Sequence, residues 1–114
     1  MRQYERQYEE TRDGFTIMFS TTYEDAHPRD MFDDSCYDID KMCRDIDEYR
    51  LQWFIARVDA YKCGVLLASE YIGGNLYANV LDFLKDGYYE DMVLEAIAQA
   101  NKKIAELTKE NAYV

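Results

Sequence analysis

Residues Leu51 to Gly74 read LQWFIARVDAYKCGVLLASEYIGG, and two incompatible periodicities run through them. Leu51, Phe54, Ile55, Val58 and Tyr61 fall at helical spacing, whereas Phe54, Ala56, Val58 and Ala60 alternate as they would in a strand. Composition favours the strand, because Trp53, Phe54, Ile55 and Val58 are aromatic or β-branched and suit a pleated surface. Lys62-Cys63-Gly64 supplies a turn, VLLASEYI resumes β-type residues, and Gly73-Gly74 breaks the run. Two apolar runs about a short glycine-containing turn predict a β-hairpin. That choice makes the chain α+β.

Working outward, Phe15, Ile17 and Phe19 alternate with Thr16, Met18 and Ser20, a third strand by the same criterion. Residues 1–13 are polar, and Tyr4 and Tyr8 are spaced like one face of a helical turn, which predicts a short helix or arm. The segment EDAHPRD reads as a loop, since Pro28 pushes His27 out of helical geometry. Next comes MFDDSCYDIDKMCRDIDEYR (31–50), where Phe32, Cys36, Ile39, Cys43 and Ile46 form the apolar stripe of one amphipathic helix. Asp34 or Ser35 would cap it.

Beyond the glycines, Leu76, Val80, Phe83 and Leu84 predict a helix stopped by Asp86-Gly87. The last helix is marked by Val93, Ile97, Ala100, Ile104 and Leu107. Acids lead it, and Lys102, Lys103 and Lys109 trail it, matching its dipole. The expected architecture is one α+β domain over residues 1–114. A small antiparallel sheet of about three strands is packed by an amphipathic acidic helix and two C-terminal helices.

The chain of 114 residues is 48% hydrophobic, too apolar for a disordered acidic tail. Its 23 acidic residues outweigh 13 basic ones, giving a net charge of −10. That sign argues against direct binding to nucleic acid or to an anionic membrane, and steers the protein toward basic surfaces. No apolar stretch reaches the length of a membrane span, and MRQYERQYEE lacks a signal-peptide core. Three cysteines, Cys36, Cys43 and Cys63, make no disulfide framework, so a reducing cytoplasm is the expected location.

Catalytic signatures are sparse. The single histidine, His27, sits beside a proline, so any triad or Cys–His pair would have to be built around it. Cys36 and Cys43 lie seven apart on the expected stripe, where cysteine packs as a small hydrophobe. The aspartates of 30–40 lack the glycine turn and terminal glutamate of a calcium loop. Asp59 and Lys62, with Glu70 beyond the turn, have the wrong spacing for a metal-dependent nuclease. The reading is a non-enzymatic protein with no cofactor and no metal; a metal-dependent hydrolase is the remote alternative.

Acidic clustering carries the functional reading. From Glu24 to Glu48 the net charge is −7 in 25 residues. On a helix, Asp38, Asp40, Asp45, Asp47 and Glu48 would place one acid every ~3.3 Å, close to the phosphate spacing of one DNA strand. Lys41 and Arg44 dilute this, and the same acids would also serve as an ordinary solvated face. Asp82, Asp86, Glu90, Asp91 and Glu95 could supply a second rail. Eleven tyrosines, among them Tyr37, Tyr49, Tyr88 and Tyr89, sit among these carboxylates, as suits a protein interface. The expected partner-binding set is thus Asp33, Asp34, Asp38, Asp40, Asp45, Asp47, Glu48, Tyr37, Tyr49, Tyr88, Tyr89, Glu90 and Asp91.

WFIARVDAYKCGVLLASEYIGG (53–74), followed by GYYEDMVLEAI (87–97), resembles short proteins encoded by phages and mobile elements. In size and acidity the chain is similar in kind to phage anti-CRISPR and anti-restriction proteins, some of which imitate DNA. The resemblance implies an inhibitor that covers the basic, nucleic-acid-binding surface of a host defence complex in the host cytoplasm. The alternative is an accessory interaction protein or homodimer packing through Trp53, Tyr71 and the C-terminal helix.

Overall fold

The structure, a computed structural model, describes residues 3–111. Four strands, β1 (Glu5–Arg12), β2 (Phe15–Tyr23), β3 (Gln52–Lys62) and β4 (Val65–Tyr77), form one antiparallel sheet in the order β1-β2-β3-β4. The hairpin expected at 51–74 is present. Lys62 pairs with Val65 across a two-residue turn, and Cys63 and Gly64 both have positive φ, 52° and 76°. Such mirror-image turns match the right-handed twist of the flanking strands.

A second hairpin of the same kind replaces the arm or helix expected over residues 1–13, of which the first two lie outside the described range. Asp13 and Gly14 have φ of 55° and 84° and bring Arg12 opposite Phe15. The Asp-Gly pair is the sequence signal for this turn. Helical spacing of Tyr4 and Tyr8 was a poor guide, because a register shift between Arg6 and Tyr8 puts the two rings on opposite sheet faces. Tyr4 lies edge-on to Tyr71, and Tyr8 lies edge-on to Tyr89. The sheet therefore has four strands, not three.

One long helix, α3 (Gly87–Asn111), covers one face of this sheet. Phe15, Ile17 and Phe19 from β2 and Phe54, Ala56, Val58 and Ala60 from β3 meet Met92, Val93, Ala96, Ile97 and Ala100 from α3. Each strand contributes alternate residues and the helix contributes one stripe, so both periodicities close on a single core. Phe83 plugs its end, stacked on Phe19 at 5.4 Å and edge-on to Phe54 and Tyr77.

The helix expected from Leu76 to Leu84 does not form. Strand β4 continues to Tyr77, and Val80–Lys85 makes a 3-10 helix whose cap, Asn79, accepts a hydrogen bond from Leu81 N–H. Two turn-forming residues, Asn79 and Asp86, bound this stretch too closely for a stable α-helix. Gly73-Gly74 does not end β4 either. A bulge opposite Ile55 absorbs the pair, and the Asn75 amide closes it by donating to Phe54 O and Ile72 O.

Between β2 and β3 the helix expected over 32–46 is shortened to α2 (Ile39–Asp47), and a four-residue helix α1 (Pro28–Met31) forms where the EDAHPRD loop was expected, with Pro28 at its first turn. Local side-chain caps outcompete the helix here. Asp33 takes the Ser35 N–H at 2.9 Å, and Asp38, rather than Asp34 or Ser35, caps α2 by accepting from Lys41 N–H. Phe32 and Cys36 thus leave the stripe. Cys36 is exposed and Cys43 half-buried, so neither packs in the core.

Candidate functional site

The 24–51 segment contributes no side chain to the cluster between the sheet and α3, and its Ile39 is buried apart from that cluster. It is held as a separate layer by contacts of Trp53 and Glu24, among them a bond from Glu24 N–H to Trp53 O at 3.2 Å. Trp53, itself 4% exposed, donates its indole N–H to Ala26 O at 2.8 Å and meets the Phe32 ring at 5.8 Å. The buried Glu24 carboxylate accepts from Gly74 N–H at 2.8 Å and Ala26 N–H at 3.3 Å. A Cβ on Gly73 would lie 2.7 Å from Glu24 Oε1, and one on Gly74 would strike the Met31 sulfur. The glycine pair therefore serves close approach of this layer to β4.

Within the layer the acids differ in availability. Asp33 and Asp38 are exposed, yet each is engaged with a backbone N–H. The bond from Ser35 N–H holds the Asp33 carboxyl below the usual range. Asp34 and Asp40 both face Arg29 at 3.8 and 3.7 Å, long and solvent-exposed pairs that cost little to exchange for a partner's cation. Asp47 is exposed. Asp45 is the most committed. Its carboxylate accepts from Arg50 at 2.8 Å and Lys41 at 3.2 Å, while its backbone carbonyl accepts from Arg50 and Leu51 N–H. Glu48 is paired with Arg50 as well. Arg50, two residues past the acidic run, is a compensating charge that its position in sequence gave no reason to count.

The hydrogen bonds from Arg50 and then Lys41 hold the Asp45 carboxyl below the ordinary aspartate range. A depressed carboxylate contributes stability above its unfolded pKa and loses it as pH falls through the folded value. Melting of wild type and Asp45→Asn should therefore differ most at neutral pH, and the gap should close below about pH 4 as aspartate protonates. A gap independent of pH would show that charge pairing does not tie Asp45 to Arg50.

Of the tyrosines, Tyr37, Tyr49 and Tyr88 are 51, 85 and 57% exposed. Tyr89 is withdrawn from the set. It is 4% exposed because its ring belongs to the stripe of α3 that faces β2, and it lies edge-on to Phe19. Its hydroxyl donates to Glu10 at 2.5 Å, and burial, followed by that bond, pushes its pKa up. Glu90 is paired with Arg12, whereas Asp91 is exposed. The second rail is likewise partly spent. Asp82 faces Lys85 at 3.8 Å, and Asp86 accepts from the Tyr77 hydroxyl at 2.5 Å. Tyr37 and Tyr88 do converge, on one groove along β4.

Two groupings, at His27 and at Asp59, hold residue types that also serve in catalysis. His27 Nε2 lies 3.7 Å from Cys43 Sγ beside a cavity of about 200 Å³. However, His27 caps α1, with Nδ1 accepting from Arg29 N–H at 3.1 Å. A neutral ring then carries its proton on Nε2, so it donates to the sulfur and has no lone pair there to accept the thiol proton. Asp59 and Glu70 do not meet. Asp59 pairs with Ser69 across the sheet and Glu70 with Val58, which sends the two carboxylates to opposite faces. Asp59 accepts from Arg57 Nε at 2.8 Å and Ser69 at 2.5 Å, and Arg57 lies between the rings of Tyr4 and Tyr71. Glu70 faces α3, where burial and then Glu95 raise its pKa.

Among the described residues, no group of three or more His, Cys, Asp and Glu has the geometry to hold a metal ion. No helix among them is long and apolar enough to cross a membrane. Compared with protein-family models, curated proteins and solved structures, the chain matches none.

Proposed function

We propose that the protein is a non-catalytic binding protein whose 24–51 layer docks on a basic, nucleic-acid-binding surface of another protein and obstructs it. One observation carries this reading. The sheet and α3 close their core without the layer, yet the layer carries much of the chain's net charge, −7 from Glu24 to Glu48. Asp34, Asp40 and Asp47 are the acids best placed to meet a partner's arginines, with Tyr37 and Tyr49 as exposed rings beside them. Charge complementarity of this kind speeds encounter and selects the partner. The resemblance to acidic phage inhibitors makes a cytoplasmic host defence complex the partner class to test first.

The experiment is capture of partners from a bacterial lysate at low and high salt, using wild type and the Asp34→Lys, Asp40→Lys, Asp47→Lys triple variant. All three side chains are exposed, so the variant should fold. Wild type should retain a DNA- or RNA-binding protein at low salt, lose it as salt rises, and compete with its nucleic acid. The triple variant should capture none of it. Equal capture by both proteins, insensitive to salt, would sink the proposal. Trp53 is buried and so is no part of an apolar dimer face, although Tyr71 is 53% exposed.

A further inference from the structure

Three of the four glutamines in the chain, Gln3, Gln7 and Gln52, meet Asn79 around one open trough of about 530 Å³. The trough lies where the sheet outruns its cover. Phe83 closes the core at this end, stacked on Phe19 and edge-on to Phe54. Side chains alternate along a strand, so the face that holds Phe19 and Phe54 runs on through Thr21, Tyr23 and Gln52. Thr21 is buried there, Tyr23 is 65% exposed, and Ala78, Asn79 and Val80 form the wall.

The chemistry of the lining selects the occupant. Glu5 is the one charged residue of the twelve that line the trough, in a chain that is 32% charged. With no lysine, arginine or histidine it has no cation to hold a phosphate or a carboxylate. With one carboxylate it lacks the pair that glycoside hydrolysis requires. The backbone of β2 is already paired, with β1 through Thr21 and with β3 through Tyr23, so a peptide finds no free ladder and side chains must do the reading. Gln7 Nε2 donates to Thr21 Oγ1 at 3.0 Å, which leaves the Gln7 carbonyl oxygen to accept and the Thr21 hydroxyl to donate. Asn79 Oδ1 accepts from Leu81 N–H, which leaves its NH₂ to donate. Neutral hydroxyls, each both donor and acceptor, match such a mixture, and the Tyr23 ring offers a flat apolar face to the C–H side of a sugar ring. The volume falls within the roughly 300–1,000 Å³ of small-molecule sites. We infer that this trough binds a neutral oligosaccharide without cleaving it.

The site is separate from the acidic layer, because Asp34, Asp40 and Asp47 do not line it. The probe is an array of neutral and acidic glycans, followed by titration of the best-retained neutral glycan into labelled protein. Neutral glycans should be retained, and sialylated or uronate-bearing ones rejected by Glu5 and the net charge of −10. Binding should shift the backbone amide resonances of Thr21–Tyr23 and Gln52–Phe54. Tyr23→Ala and Gln52→Ala should each weaken it about fivefold, the worth of one stacking contact or one hydrogen bond. Tyr23→Phe keeps the ring and should bind within about twofold of wild type, as should the Asp34→Lys, Asp40→Lys, Asp47→Lys variant.

Retention of no neutral glycan would overturn the inference. So would amide shifts confined to residues outside the trough, or wild-type affinity in both alanine variants. The acidic layer is decided separately, by partner capture with the triple variant.

Discussion

Replacing Phe83 with alanine should lower the unfolding free energy by about 3–5 kcal/mol, the cost of deleting a buried phenyl ring. Phe83 is fully buried, at 0% exposure, and three aromatic neighbours face the space it would vacate. Phe19 and Phe54 are fixed by their strands, and Tyr77 is tied by its hydroxyl to Asp86. The site therefore has little freedom to collapse, which puts the cost at the upper end of the range. Against a total of about 5–15 kcal/mol for a domain of this size, the loss is large. Chemical denaturation should show a lower midpoint with an unchanged slope. A cost below about 1.5 kcal/mol, the level of a tolerated core swap, would mean that the 3-10 helix does not seal the core.

Trp53→Ala should cost a comparable amount, again about 3–5 kcal/mol, but with a different signature. Trp53 lies outside the cluster of β2, β3 and α3; it joins the 24–51 layer to the sheet through Phe32 and Ala26. Its loss should release that layer first. Amide exchange in Ile39–Asp47 should accelerate more than in β2 and β3, whereas Phe83→Ala should accelerate exchange in the core strands as well. Trp53→Phe keeps an aromatic ring but leaves Ala26 O without its donor, so a smaller loss of about 1 kcal/mol is expected. Uniform acceleration across the sheet in Trp53→Ala would contradict separate docking of the layer.

Elements set by side-chain period and local turn chemistry were legible in the sequence. The β3–β4 hairpin followed from two β-rich runs about Cys63-Gly64, and α3 from its stripe and charge asymmetry. Strand β1 could have been read from Asp13-Gly14 had that dipeptide been given priority over the spacing of Tyr4 and Tyr8. The stripe from Phe32 to Ile46 misled because periodicity says nothing about caps. Asp33 and Asp38 each captured a backbone N–H and delayed the helix to Ile39. In the candidate site, acid density was visible directly, but its compensation was not. Arg50 reaches Asp45 and Glu48, and Arg12 reaches Glu90 across 78 residues of chain.

Charge sign, the sheet-plus-helix class and the location of the acidic run were determined by sequence alone, because composition and nearest-neighbour geometry fix them within a few residues. Tertiary structure decided which acids remain open, that Tyr89 is buried, and that Tyr37 and Tyr88 share the β4 edge. Those facts depend on strand register and on the seating of the 24–51 layer against Gly73-Gly74. Both are set by packing between residues far apart in sequence, and no local pattern reports it.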